Sequence, residues 1–175
     1  MSDITVIGIP QSTCTRKVLT VLEEIEIAYK LQPVDYQNGE MKTEVYKAKN
    51  HPFGKMPAVH DGDYHIFESR AIIRYLARAY DKTGTLYPTD AKKIGKVEQW
   101  ISIEQSYFNA AESLVAELVF KKMRGAEPDN SVVTKEEVRL HEALVYMDKH
   151  LSSSTYLAGE DFTIAGKNFQ FQYLF

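Results

Sequence analysis

"PAVHDGDYHIFES", residues 57–69, decides how the first half of the chain is read. Val59 and Ile66 lie on short β-prone runs either side of Asp61-Gly62-Asp63, so the segment predicts a hairpin turning at "DGD". A helix pattern follows at once from Ser69 to Tyr80, with Ile72, Ile73, Leu76 and Ala79 on one face. Working upstream, "AYKLQPV" (28–34) is a strand candidate whose Pro33 suits a sheet edge, and a short polar helix is expected around 40–49. Apolar residues Val18, Leu19, Val21, Leu22 and Ile25 recur at helical spacing between Arg16 and Ala28, and "ITVIGI" (4–9) reads as a buried strand. The order is β-α-β-α-β-β-α, a parallel pair combined with an antiparallel hairpin. That is the thioredoxin-like order.

Beyond Tyr80 the texture changes. "DKTGTLYPTD" (81–90) has the Gly, Pro, Thr and Asp of a linker, so boundaries fall at 1–81 for an α/β domain, 82–90 for the linker and 91–175 for an all-α domain. One long helix is expected over Ala91–Met123, broken by "GAEPDNS" (125–131). A second spans Thr134–Leu151, entered by a capping box of Thr134 and Glu137. The chain of 175 residues is long enough to bury a real core. Its net charge of −3, with Lys and Arg scattered, gives no footprint for nucleic acid. No apolar run reaches membrane-spanning length, and "MSDITVIG" lacks a signal-peptide layout. The single cysteine, Cys14, excludes an intrachain disulfide and any CxxC pair; the histidines show no metal-ligand spacing. A cytoplasmic protein without metal, nucleic-acid or membrane partners is the expectation.

Three places carry candidate chemistry. Pro57 opens a strand, where a trans proline is ordinary; in a thioredoxin-like sheet a cis-proline there exposes the backbone groups of Met56 to an extended peptide. Glu68 and Ser69 stand where a strand enters a helix. Read as structure, Ser69 is the N-cap with Glu68 just outside; read as function, the helix N-terminus and the Ser69 hydroxyl hold a carboxylate while Glu68 takes an ammonium. A free α-amino acid end carries both groups. Finally, Ser12, Thr13, Cys14 and Thr15 precede a helix. One of these hydroxyls is an N-cap candidate. A serine hydroxyl in that place also suits donation to a thiolate, and each unit of pKa lowering needs about 1.4 kcal/mol, the order of one charge-assisted hydrogen bond.

"GIPQSTCTRKVL", "HPFGKMPAVHDGD", "IFESRAIIRYLA" and "YLAGEDFTIA" together resemble a glutathione transferase, most similar to the phi class of plants, from about residue 3 to residue 165. The resemblance implies a glutathione-binding thioredoxin-like domain, a helical domain offering a pocket for a hydrophobic electrophile, a homodimer and a role in detoxification and stress response. It places Ser12 on the catalytic serine. Glu68 and Ser69 fall on the pair gripping the γ-glutamyl end, and Met56 before Pro57 on the backbone that pairs with the cysteinyl part. Lys55 falls near the glycyl carboxylate or that backbone stretch. "GEMKTE" (39–44) aligns with a segment commonly reading His-Lys; Lys42 is retained and Met41 stands for the histidine, which implies weaker glycyl binding. Phe53 matches the aromatic key inserted into a partner subunit, against the alternative of a plug in its own core. Thr13, Tyr36, Tyr107, Phe120 and Met123 are the candidates for the electrophile pocket, although such residues at helical spacing also suit a core. Two other functions stay open: a thiol transferase using Cys14, and a non-catalytic carrier of small hydrophobic ligands.

The likeness fails at the end of the chain. Relatives continue into further helices, whereas "FTIAGKNFQFQYLF" (162–175) stops, so the last helices are expected to be missing and the inner faces of the two long helices uncovered. Thr163 finds Gly166 where a capping box needs an acidic residue, and "NFQFQYLF" (168–175) alternates in a strand-like way.

Overall fold

The computed structural model describes residues 3–169, which divide into two compact units, one up to Thr89 and one from Asp90. In the first unit, β1 (Ile4–Ile7), α1 (Thr13–Glu24), β2 (Lys30–Gln32), a 3₁₀ turn (Glu40–Lys42), α2 (Glu44–Lys49), β3 (Ala58–Asp61), β4 (Tyr64–Phe67) and α3 (Ser69–Tyr80) follow in order. The four strands form one sheet ordered β2-β1-β3-β4, with β1 and β2 parallel and the other pairs antiparallel. This is the thioredoxin-like fold. The hairpin turns on Gly62 and Asp63 alone, Gly62 taking φ +56°, and Val59 pairs with Ile66 across it.

Strand alternation sends Ile7 and Ala58 to one face, where they pack with Val34, Tyr46 of α2, Met41 and Phe67. The opposite face carries the paired Val6 and Val59, fully buried with Val18, Val21 and Leu22 of α1 and Ile72, Ile73 and Leu76 of α3. Burying each such aliphatic side chain contributes roughly 1.5–3 kcal/mol. Two details of the periodicity differ. Ala79 is exposed and Ala77 is buried instead, while Leu19 and Ile25 are only half-buried, with Thr15 and Lys17 inside α1's buried stripe.

The second unit departs further from the sequence pattern. The long helix expected over 91–123 is three pieces: α4 (Ala91–Tyr107), α5 (Asn109–Val115) and a π-helical stretch (Ala116–Lys121). The break seats Phe108, fully buried, while the Asn109 side chain accepts a 3.2 Å hydrogen bond from Arg139, so tertiary packing overrides a continuous pattern. The next helix, α6 (Asn130–Leu151), starts a turn before Thr134. Its cap is Asp129, whose Oδ1 accepts from the Ser131 and Val132 N–H groups and the Ser131 hydroxyl; these bonds hold the Asp129 carboxyl below its ordinary 3.8. The capping box of Thr134 and Glu137 is therefore not what starts the helix.

The end of the described chain is helical, not strand-like. In α7 (Ile164–Phe169), Ile164 and Ala165 are fully buried, Thr163 Oγ1 accepts from the Ala165 N–H, and Gly166 lets the Phe162 ring approach. Burial of the turn outweighs the missing box and the glycine. Residues 170–175, the rest of the segment read as strand-like, lie outside the described residues.

Candidate active site

Ser12 is the N-cap of α1, with extended backbone (φ −73°, ψ 123°), and its Oγ accepts the Thr15 N–H at 3.3 Å. That bond uses an oxygen lone pair; the hydroxyl hydrogen is uncommitted among the described residues. The first turn of α1 holds no acidic residue, so nothing there opposes the positive end of the helix dipole. The loop before it is tightly made. A Cβ on Gly8 would stand 2.5 Å from Thr15 Oγ1, so only glycine lets β1 run into this turn beside the buried Thr15. Thr13 and Cys14 are half-buried in the first turn of α1, Cys14 as a free thiol.

At the other candidate end, β4 runs into α3 through Glu68, which takes φ +72°, rare for a residue with a side chain. Glu68, not Ser69, occupies the cap position, and no side chain caps the helix; Ser69 is the first helical residue and is buried. Its simple capping role is thereby excluded. The Glu68 side chain is 57% exposed, and its Oε1 lies 3.6 Å from His51 Nε2.

Between these ends runs the segment from His51 to Pro57. The Met56–Pro57 peptide bond is cis, and neither backbone group of Met56 is hydrogen-bonded among the described residues. Tyr46 donates its hydroxyl to the Lys55 carbonyl at 2.8 Å, and burial pushes that phenol up to about 12, keeping it a donor at neutral pH. Gly54, at φ +61°, comes so close to the Met41 carbonyl that a Cβ would stand 2.6 Å away. This contact joins the 54–57 segment to the 3₁₀ turn ending at Lys42, so Lys42 and Lys55, both exposed, belong to adjoining segments. Met41 packs against the core cluster of Ile7, Val34, Tyr46 and Ala58. Phe53 is 73% exposed and is not a plug in its own core.

The electrophile candidates are all on the surface or half-buried. Tyr36, Tyr107, Phe120 and Met123 are exposed, which removes the reading of them as core. Within the second unit, Tyr107 lines a groove of about 540 Å³ with Ile103, Arg139, Glu142 and Tyr146. A larger depression of about 640 Å³ in the first unit sits at the C-terminal end of α1, the end opposite Ser12, and has no part in the chemistry above. No group of three or more potential metal ligands occurs among the described residues, and no helix among them is long and apolar enough to cross a membrane.

Sequence reasoning missed His51 and Tyr46. His51 is 2% exposed, its Nδ1 accepts the Phe53 N–H at 3.3 Å, and its ring meets that of Phe67 at 4.7 Å. Nothing in the local pattern announces a contact between a histidine before Pro52 and a glutamate at the end of β4. The only available signal was the polar His-Pro pair beside an otherwise apolar strand entry.

The comparisons with known proteins bear on the family and the fold. Residues 2–78 match the description "Glutathione S-transferase, N-terminal domain". Glutathione S-transferase 3 of Zea mays is 39% identical over 170 residues, covering 96% of this chain and 76% of that protein. Among solved structures, glutathione transferase F7 from Populus trichocarpa superimposes with a TM-score of 0.89 at 34% identity, over 97% of this chain and 80% of that one. A glutathione S-transferase I bound with lactoylglutathione gives 0.85 at 29% identity, over 95% and 79%. A mixed four-stranded sheet followed by helices thus has close counterparts along nearly the whole chain. The protein belongs to the glutathione S-transferase family and is a phi-like enzyme of it.

Proposed function

We propose that the chain adds the thiolate of glutathione to electrophilic carbon of small hydrophobic compounds, with Ser12 donating its hydrogen bond to the sulfur. The observation that carries this is the arrangement at Ser12, where the oxygen caps α1 and the hydrogen remains uncommitted among the described residues. Capping and thiolate stabilisation are therefore compatible in one side chain. A hydrogen bond to a charged group contributes about 1.5–3 kcal/mol, enough to move a free thiol from about 8.5 to roughly 6.5–7.5. The relative bound with lactoylglutathione supports the ligand class.

Glu68 receives the ammonium of the γ-glutamyl group, and the buried Ser69 and the start of α3 receive its carboxylate. The backbone of Met56, before Pro57, pairs with the cysteinyl residue. Lys42, with Lys55, answers the glycyl carboxylate. In this reading residues 1–81 form the glutathione domain, 82–90 the linker and 91–175 the helical domain. Thr13 and Tyr36 in the first, and Tyr107, Phe120 and Met123 in the second, are proposed contacts for the electrophile. The exposed Phe53 is proposed as the key of a homodimer, and a cytoplasmic detoxifying or stress-response role is the matching physiology.

The test is conjugation of glutathione to a chlorodinitrobenzene by the wild type and by Ser12→Ala, with ultraviolet titration of the bound thiol. Ser12→Ala should bind glutathione within about twofold of wild type and lose roughly 10- to 100-fold in turnover, as its thiol returns toward the free value. Turnover that survives Ser12→Ala and disappears in Cys14→Ser would replace this reading with a cysteine mechanism. Ligand binding without any conjugation by the wild type would leave only a carrier.

A further inference from the structure

We propose that His51 is a positioning residue for Glu68, holding one carboxylate oxygen through its Nε2–H so that the other meets the α-ammonium of the γ-glutamyl group. This rests on the reading of Glu68 as the ammonium's partner. Six observations carry it. The ring is almost wholly buried while the Glu68 side chain is largely exposed, so a fixed group stands beside a movable one. The separation of 3.6 Å between His51 Nε2 and Glu68 Oε1 is one small rotation of Glu68 from a direct hydrogen bond, and such bonds tighten when the ligand is in place.

The tautomer is fixed as well. His51 Nδ1 accepts the Phe53 N–H, so a neutral ring must carry its proton on Nε2, the atom nearest Glu68. The ring plane is fixed by Phe67 at 4.7 Å on β4 and by Phe53 at 6.1 Å. The left-handed backbone of Glu68, with its carbonyl bonded to the Ile72 N–H, sets where its side chain leaves the chain. Finally, the charged and titratable groups that bear on His51 are Glu68, Lys55 and His65, and burial is the largest influence, favouring the neutral ring. Neutrality matters here. A cation beside Glu68 would cancel the charge that attracts the ammonium, whereas a neutral donor orients the carboxylate and leaves its charge intact. The pair therefore selects ligands with a free primary ammonium at the γ-glutamyl end.

The experiment is calorimetric titration of the full chain with glutathione and with the analogue lacking the α-amino group, glutaryl-cysteinyl-glycine. His51→Asn keeps an acceptor for the Phe53 N–H but removes the donor toward Glu68; His51→Gln reaches the Nε2 position with an amide N–H. His51→Asn should weaken glutathione about fivefold and leave the analogue within about twofold, with KM raised and kcat at saturation unchanged; His51→Gln should recover most of the loss. Nitrogen NMR of the wild-type imidazole should find the proton on Nε2, with that resonance shifting on addition of glutathione but not of the analogue. Equal weakening of both ligands, no weakening of either, or a proton on Nδ1 would overturn the proposal. Glu68→Gln separates it from the reading beneath it. If Glu68→Gln leaves glutathione binding untouched, Glu68 is not the ammonium's partner. If Glu68→Gln abolishes the preference for glutathione and His51→Asn does not, only the role of His51 falls.

Discussion

Helices α3 and α6 are built from similar apolar material and end up in opposite conditions. The 12 residues of α3 bury Ser69, Ile72, Ile73, Leu76 and Ala77 against a sheet and a second helix. The 22 residues of α6 bury only Glu136, and Val138, Val145, Tyr146 and Leu151 stay exposed. Its apolar side is covered only in part: Val132, Val133, Leu140, Leu144 and Met147 are half-buried, and the Trp100 ring meets that of His150 at 4.7 Å. Beside these stand the polar Asp129 cap, the Glu136–Arg139 pair at 2.6 Å and the reach of Arg139 to Asn109. Apolar spacing predicts a helix in both cases, but it stabilises only where another surface exists to receive it.

The sharpest way to break this contrast is Leu76→Ala. Fully buried on α3, Leu76 should cost about 2–5 kcal/mol when truncated, read as a lowered midpoint in denaturant melts followed in the first unit. Gly8→Ala comes next, since its Cβ would meet Thr15 Oγ1 at 2.5 Å; a loss of about 1–3 kcal/mol is expected, relieved by adding Thr15→Ala. Tyr46→Phe removes the 2.8 Å bond to the Lys55 carbonyl and should cost about 1 kcal/mol in melts, with weaker glutathione binding as the 54–57 segment loosens.

A smaller effect is expected from pH. Burial, first among the causes, lowers the imidazoles of His51 and His60 below 6.5 in the folded protein. The unfolded chain therefore takes up these protons first as pH falls, so the stability they confer is present above about 6.5 and is lost as pH drops toward the folded values. Melting temperature should decline between pH 7 and pH 5, and less steeply in the double variant His51→Gln, His60→Gln. An identical slope in the two proteins would remove the assignment. Smallest of all is Val145→Ala on α6, expected within about 0.5 kcal/mol in the same melts because the side chain is already exposed. A loss comparable to that of Leu76→Ala would mean that α6 is covered in solution, and the contrast with α3 would end.

Legibility followed the same division. In the first unit, the hairpin at Gly62–Asp63 and the helix from Ser69 to Tyr80 stood in the sequence because turn chemistry and burial pattern coincide there. The start of α6 was misplaced by a turn, since Asp129 competes with Thr134 and captures two N–H groups. The break at Phe108 left no local mark at all. At the candidate site, Ser12 and Glu68 were findable as polar residues at helix starts. Of the two readings of Ser69, the N-cap one fails, since Ser69 is the buried first residue of α3 and Glu68 stands at the cap.

By itself the sequence determined the order of strands and helices in the first unit and the family resemblance, because alternation, helical spacing and turn residues act over a few neighbours. Only the tertiary structure decided that Met41 faces the core, that Tyr46 holds Lys55, that Phe53 is exposed and that His51 lies beside Glu68. Those placements depend on distances closed by the folded sheet between residues whose local sequences are indifferent to one another.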